Sequence, residues 1–238
     1  MIRDSWLGTS LLGASLLVVS FAGAQTTQRP VIVIDPGHPS EVSSGAERQN
    51  GTSEVHIAWL VAQRLAPLLT AKGYRVVMTK PTERTMVTNI ARAEVANRAG
   101  AGLAVRLHCD ASTDSGYAIY YPDRLGTAHG KTGPDSSVMR SSHAAAESMH
   151  VSMARIIGAS LKDGGVRGDS KTAVGSKQGA LTGSIFSTVP VVLVEMVTLS
   201  NKRDAAFIKT AKGQATMAQA IADGIARYVP VSSPGRKK

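Results

Sequence analysis

Two histidines and two glutamates stand where apolar runs end. His38 closes Val-Ile-Val-Ile-Asp-Pro-Gly-His, Glu54 follows Thr52-Ser53, His108 closes Leu-Ala-Val-Arg-Leu-His, and Glu195 closes Val-Val-Leu-Val-Glu. Imidazole nitrogens and carboxylate oxygens are the donors that a catalytic zinc takes. Three protein ligands leave a position open for water, and a further carboxylate can serve as base. A carboxylate directly after Val191, Val192, Leu193 and Val194 would be costly to bury unpaired. A metal or a substrate beside Glu195 explains it better than exposure does.

For such residues to meet, one fold must bring separated segments to one edge. Val31–Ile34 reads as a strand buried on both faces, stopped by Asp-Pro-Gly. A Ser/Gly/Asn-rich loop leads to a helix starting at Thr52 or Ser53 and running to about Ala71, with Pro67 expected to kink or end its last turn. Further strands are expected at Tyr74–Thr79, Gly102–His108, Tyr117–Tyr121 and Val189–Glu195. Further helices are expected at Met86–Arg98, Ser142–Lys162, Lys202–Lys209 and Gly213–Tyr228. Residues 122–142 and 163–182 read as loops. Alternating strands and helices predict an α/β fold: a single domain with a mostly parallel twisted sheet flanked by helices on both faces. Ligands collect at the carboxyl ends of strands in such sheets. His38, His108 and Glu195 all fall there, and Glu54 opens the helix after the first strand.

Composition sets the setting. Of 238 residues, 43% are hydrophobic and 4% aromatic, which predicts an aliphatic core. Residues 1–24 read as a signal peptide, with an apolar run from Leu7 to Ala22 and small residues Ala22-Gly23-Ala24 before Gln25. That implies a bacterial periplasmic or secreted protein with no stable membrane span after cleavage. Residues 25–230 form the expected catalytic domain, and 231–238 an expected disordered basic tail. Cys109 is the only cysteine, so no internal disulfide forms, and its neighbour His108 leaves it facing the opposite side of the strand. The net charge of +10 suits anionic envelope polymers. No nucleic-acid-binding motif is evident, so nucleic acid is not an expected partner.

Asp35-Pro36-Gly37-His38, the Glu54 region with Leu60, Thr79-Lys80, Arg92 with Ala96-Asn97, His108-Cys109-Asp110-Ala111, and Pro190 to Glu195 through Ser200-Asn201 together resemble the zinc-dependent N-acetylmuramoyl-L-alanine amidases, the amidase-3 family. The resemblance runs in order from about Val31 to Tyr228. It implies one zinc ion held by His38, Glu54 and His108, with Glu195 as the catalytic carboxylate. It implies peptidoglycan or muropeptides as substrate, cut at the amide between muramic acid and the first L-alanine. It leaves room for an activator protein. The competing readings are a catalytically silent peptidoglycan-binding module of the same fold and another zinc peptidase of the cell wall.

The chain departs from that pattern twice. Arg106 stands where the family commonly has a small polar residue. On a strand it points to the same side as His108, where it would dock a carboxylate of the stem peptide or pair with an acid. The segment from Gln178 to Ser187 lacks the basic residue often found before the proline. Two rivals also exist for the metal site. Glu47 lies in the same connecting segment as Glu54, and His143, Glu147 and His150 share one side of a helix.

Overall fold

The apolar runs become the strands of one sheet. A computed structural model describes residues 28–231, so the expected signal peptide and most of the expected basic tail lie outside the described residues. The strands are β1 (Val31–Pro36), β2 (Arg48–Gln49), β3 (Thr52–Ser53), β4 (Arg75–Met78), β5 (Leu103–Asp110), β6 (Tyr117–Tyr121), β7 (Gly126–Ala128), β8 (Lys131–Gly133), β9 (Asp163–Gly168) and β10 (Val191–Thr198). The helices are α1 (Glu54–Ala71), α2 (Asn89–Arg98), α3 (Ser136–Ile157), α4 (Gly175–Gln178), α5 (Thr182–Ile185), α6 (Lys202–Ile208) and α7 (Ala211–Tyr228). The main sheet has the order β4-β1-β5-β10-β6-β9. Pairing is parallel throughout except between β10 and β6. The expected mostly parallel sheet with helices on both faces is what forms.

Side-chain alternation sorts the two faces. Ile32, Ile34, Val105, Leu107, Val192 and Val194 pack on one side with α1, α3 and α7 residues such as Ile57, Val61, Met149 and Ile221. Cys109 is buried in that cluster, away from the neighbouring His108. Val33, Ala104 and Val191 face the other way, against Ala96 of α2. Because strands alternate, Asp35, Arg106 and Leu193 share that second face with Gly37, His108 and Glu195 further along.

Several boundaries differ from expectation. Helix α1 continues through Pro67, because Leu65 and Leu69 on either side are fully buried. Two leucines at about 2 kcal/mol each offset the roughly 3 kcal/mol cost of an internal proline. Helix α3 begins at Ser136 rather than Ser142, with Asp135 as N-cap residue after Pro134. The supposed loop at 122–142 is thus a β7–β8 hairpin followed by helix. Strand β9 was not expected. It is a sheet edge with three glycines and one apolar residue, Val166, so no alternating pattern marks it. No described helix is long and apolar enough to cross a membrane.

Candidate metal centre and its cleft

The turn after β1 places the first imidazole. His38 adopts a left-handed backbone, φ 53°, which costs energy in a residue with a side chain and persists only if neighbours hold it. Arg92 of α2 supplies that hold. Its Nη1 donates to the Pro36 carbonyl at 2.8 Å and its Nη2 to the Pro39 carbonyl at 2.8 Å. Buried Lys80 donates to the carbonyl of His38 and, at 3.0 Å, to that of Glu83. Burial, then the Arg92 charge, brings the Lys80 pKa down to about 8. On the ring itself, Nδ1 donates to the Ser43 carbonyl at 3.1 Å, which leaves Nε2 as a free lone pair. A Cβ on Gly45 would lie 2.5 Å from His38 Cβ, so only glycine lets that loop close on the ring.

The other two donors converge on Nε2. Glu54, the first residue of α1, sends Oε2 to 3.2 Å from His38 Nε2 and Oε1 to 2.8 Å from His108 Nδ1. Donor atoms of His38, Glu54 and His108 all lie within 4.8 Å of one another, and among the described residues they form the one such group. The two rings meet edge to face at 5.1 Å between centroids. A Cβ on Gly37 would sit 2.7 Å from the His108 ring, so the glycine of Asp-Pro-Gly-His makes room for the second imidazole.

Electrostatics prepare these donors for a cation. Burial alone would raise the Glu54 pKa, but the His108 and His38 rings beside it hold it far below the usual carboxylate range. Burial lowers the His108 pKa, which keeps its ring in the neutral, ligating form. His108 Nε2 and Glu195 Oε2 are buried without a hydrogen-bond partner. Unpaired buried polar atoms are costly, and two of them beside three converging donors fit a centre that takes a metal and its ligands. Glu47 is exposed and stands outside the group. The rival helix disperses: His143 pairs with Glu147 and stacks on Tyr121, whereas His150 turns to Asp163.

Glu195 stands directly across from His108 on the neighbouring strand. Its pairing slips by one residue before Thr198, an irregularity that can re-aim a strand side chain. Burial, then repulsion from Glu54 and Asp110, raises the Glu195 pKa well above the ordinary value. A cation between His38, Glu54 and His108 would oppose that rise.

These groups open into a cleft of about 180 Å³ whose walls include Asn89, Arg106, Thr182 and Leu193. Val42 and Val174 are exposed at its edges. The outer wall comes from the segment 172–182, not from the 122–142 stretch. Arg106 is paired and yet lines this cleft. Its Nε donates to Asp35 Oδ2 at 3.0 Å and its Nη2 to Asn89 Oδ1 at 2.5 Å. Asp35 also accepts from Thr79 and, at 2.5 Å, from Arg92. The 178–187 segment brings no cation of its own, and the Arg106 guanidinium lies against Gly183 within it.

Residues that sequence reading left without a role therefore build the site: Lys80 and Arg92 pin the His38 turn, and Asn89 anchors Arg106. A lysine at a strand end and an arginine on a helix gave no local sign of this. Asp169 was missed as well. It holds the outer wall by accepting from the Leu181 N–H at 3.2 Å, and burial pushes its pKa up to about 6. A raised carboxyl pKa favours the protonated folded state. This contribution is complete below about 3.8 and lost as pH rises through about 6. Asp169→Asn should therefore be more stable than the parent at pH 8, by up to about 3 kcal/mol, and lose that advantage by pH 4. Urea denaturation across that range measures it.

Comparison with known proteins follows the same lines. The amidase-3 family model, described as N-acetylmuramoyl-L-alanine amidase, matches residues 32–227. N-acetylmuramoyl-L-alanine amidase Rv3717 of Mycobacterium tuberculosis is 24% identical over 251 residues, covering 95% of this chain and 98% of that protein. N-acetylmuramoyl-L-alanine amidase AmiA of Salmonella typhimurium is 29% identical over 90 residues; the match spans 38% of this chain but only 30% of that relative. The solved structure of N-acetylmuramoyl-L-alanine amidase AmiC2 of Nostoc punctiforme superposes with a TM-score of 0.67 at 26% identity, covering 84% of this chain and 96% of that one.

Proposed function

The chain belongs to the N-acetylmuramoyl-L-alanine amidase family, and from that premise we propose that it is a zinc-dependent peptidoglycan hydrolase of the bacterial periplasm or exterior. It cuts the amide between N-acetylmuramic acid and the L-alanine of the stem peptide. The observation that carries this reading is the meeting of His38, Glu54 and His108, with Glu195 in register beside His108.

His38, Glu54 and His108 would hold the zinc, which when bound supplies Lewis acidity for activating water and polarising the amide carbonyl. Glu195 takes the proton of the attacking water and returns one to the departing alanine nitrogen. The Ser43 carbonyl fixes the His38 tautomer, and Arg92 with Lys80 fixes its backbone. The net charge of +10 favours residence on an anionic envelope.

Metal removal tests the proposal. Purified sacculi are incubated with chelator-treated protein and with the same protein reloaded with zinc, and the products are identified by mass spectrometry. Only the reloaded sample should release intact stem peptides with a free alanine amine. Release of single residues would instead mark a peptidase. Sedimentation with sacculi and no product in either sample would mark a silent binding module.

A further inference from the structure

We propose that Arg106 makes the inner end of the cleft a carboxylate subsite, selecting substrates whose residue after the alanine keeps a free α-carboxylate over those in which it is amidated. This specificity rests on the amidase reading above.

Arg106 is only 7% exposed, yet it lines the cleft that holds Glu195 and His108. Two of its nitrogens are committed, Nε to Asp35 and Nη2 to Asn89, which locks the guanidinium in one orientation. Nη1 has no hydrogen-bond partner among the described residues, and it is not among the atoms sealed from solvent without one. Its charge is also shared out thinly. Asp35 serves Arg92 as well as Arg106, so one carboxylate answers two guanidiniums. Asp169 and Glu195 both feel the Arg106 charge, but neither hydrogen-bonds its guanidinium: Asp169 accepts from Leu181 and Ser184, and Glu195 Oε2 has no partner. A locked, half-compensated guanidinium with a free N–H is a ready partner for an incoming carboxylate.

Spacing says which carboxylate. Arg106 precedes His108 by two residues on β5 and pairs with Leu193, which precedes Glu195 by two on β10. That sets its Cα about 7 Å further back along the strand than the Cα of His108, away from the edge where the catalytic groups meet. An extended peptide advances about 3.5 Å per residue, so the α-carboxyl of the residue after the alanine falls about 7 Å beyond the scissile carbon. The muramic acid side offers no such group, because its lactyl carboxyl is consumed in the amide being cut. Asn89 and Thr182 line the cleft with polar groups, and Leu181 and Leu193 line it with apolar surface suited to an alanine methyl.

The test compares N-acetylmuramoyl-L-Ala-D-Glu with its α-carboxamide, N-acetylmuramoyl-L-Ala-D-isoglutamine. The parent should favour the carboxylate about tenfold or more in kcat/KM, mainly through KM. Arg106→Gln should bring that ratio close to one, and Arg106→Lys should keep part of it. A parent ratio of one overturns the subsite while leaving the amidase reading intact. A second readout needs neither turnover nor a variant that folds. Calorimetry of metal-free parent protein with L-Ala-D-Glu and L-Ala-D-isoglutamine should show the carboxylate bound about tenfold tighter. If neither muramyl substrate is cut but that difference persists, the reaction assignment fails and the subsite stands. Equal binding of the two dipeptides removes it.

Discussion

Glu195→Gln is expected to lower kcat/KM on muropeptides by about 10²- to 10⁴-fold while zinc content stays that of the parent. Glutamine keeps the shape and one acceptor oxygen but cannot carry a proton between water and the leaving nitrogen. Glu195 lies outside the group of three converging donors, so its replacement should not release the metal. His108→Ala behaves differently: it removes a donor, and zinc content and activity fall together. Metal analysis alongside steady-state kinetics separates the two outcomes. Loss of zinc in Glu195→Gln would move Glu195 into the ligand set and leave the base unassigned. Activity close to the parent's would remove Glu195 from the proton transfers altogether.

The contrast between those variants rests on positions that the chain displays openly. His38, His108 and Glu195 each follow an apolar run, and a parallel sheet gathers strand ends at one edge, so their meeting follows from pattern and topology alone. Glu54 is separable from Glu47 because it opens a helix, which aims its carboxylate back at that edge. What holds these groups is far less visible. Asp35 meets Arg92 across 57 positions and Arg106 across 71, with no shared local period to announce either pair. Strand β9 hides for a related reason, since an edge strand of glycines and one valine is specified by its neighbour β6 and not by its own alternation. Local physics thus marks the groups that meet at the strand ends, while their supports emerge only from tertiary packing. Arg106 shows both sides: its strand position predicts that it faces the site, but only the fold shows that Asp35 and Asn89 lock it.

Asp35→Ala should cost about 3–5 kcal/mol of stability, the usual consequence of removing one partner from a buried ion pair. For a domain of this size that lowers Tm by about 10 °C. Asp35 is 1% exposed, and Arg92 and Arg106 both depend on it. Without it two buried guanidiniums lose the carboxylate they share, and Arg92 loses one of the contacts that orient it toward the His38 turn. Burial would raise the Asp35 pKa, but Arg92 and Arg106 overcome that and hold it low. Its stabilisation is therefore present above the ordinary value of 3.8 and lost only as pH falls through the lower folded value. The deficit of Asp35→Asn should accordingly stay level from pH 5 to pH 8, opposite in form to the pH-dependent gain expected of Asp169→Asn. Thermal unfolding of Asp35→Ala, Arg106→Leu and the double variant completes the argument. If the unpaired charge is what costs, the double variant is less destabilised than the two single losses added together. Strict additivity would mean that Asp35 and Arg106 act independently, and the half-compensated guanidinium at the base of the cleft would have no energetic basis.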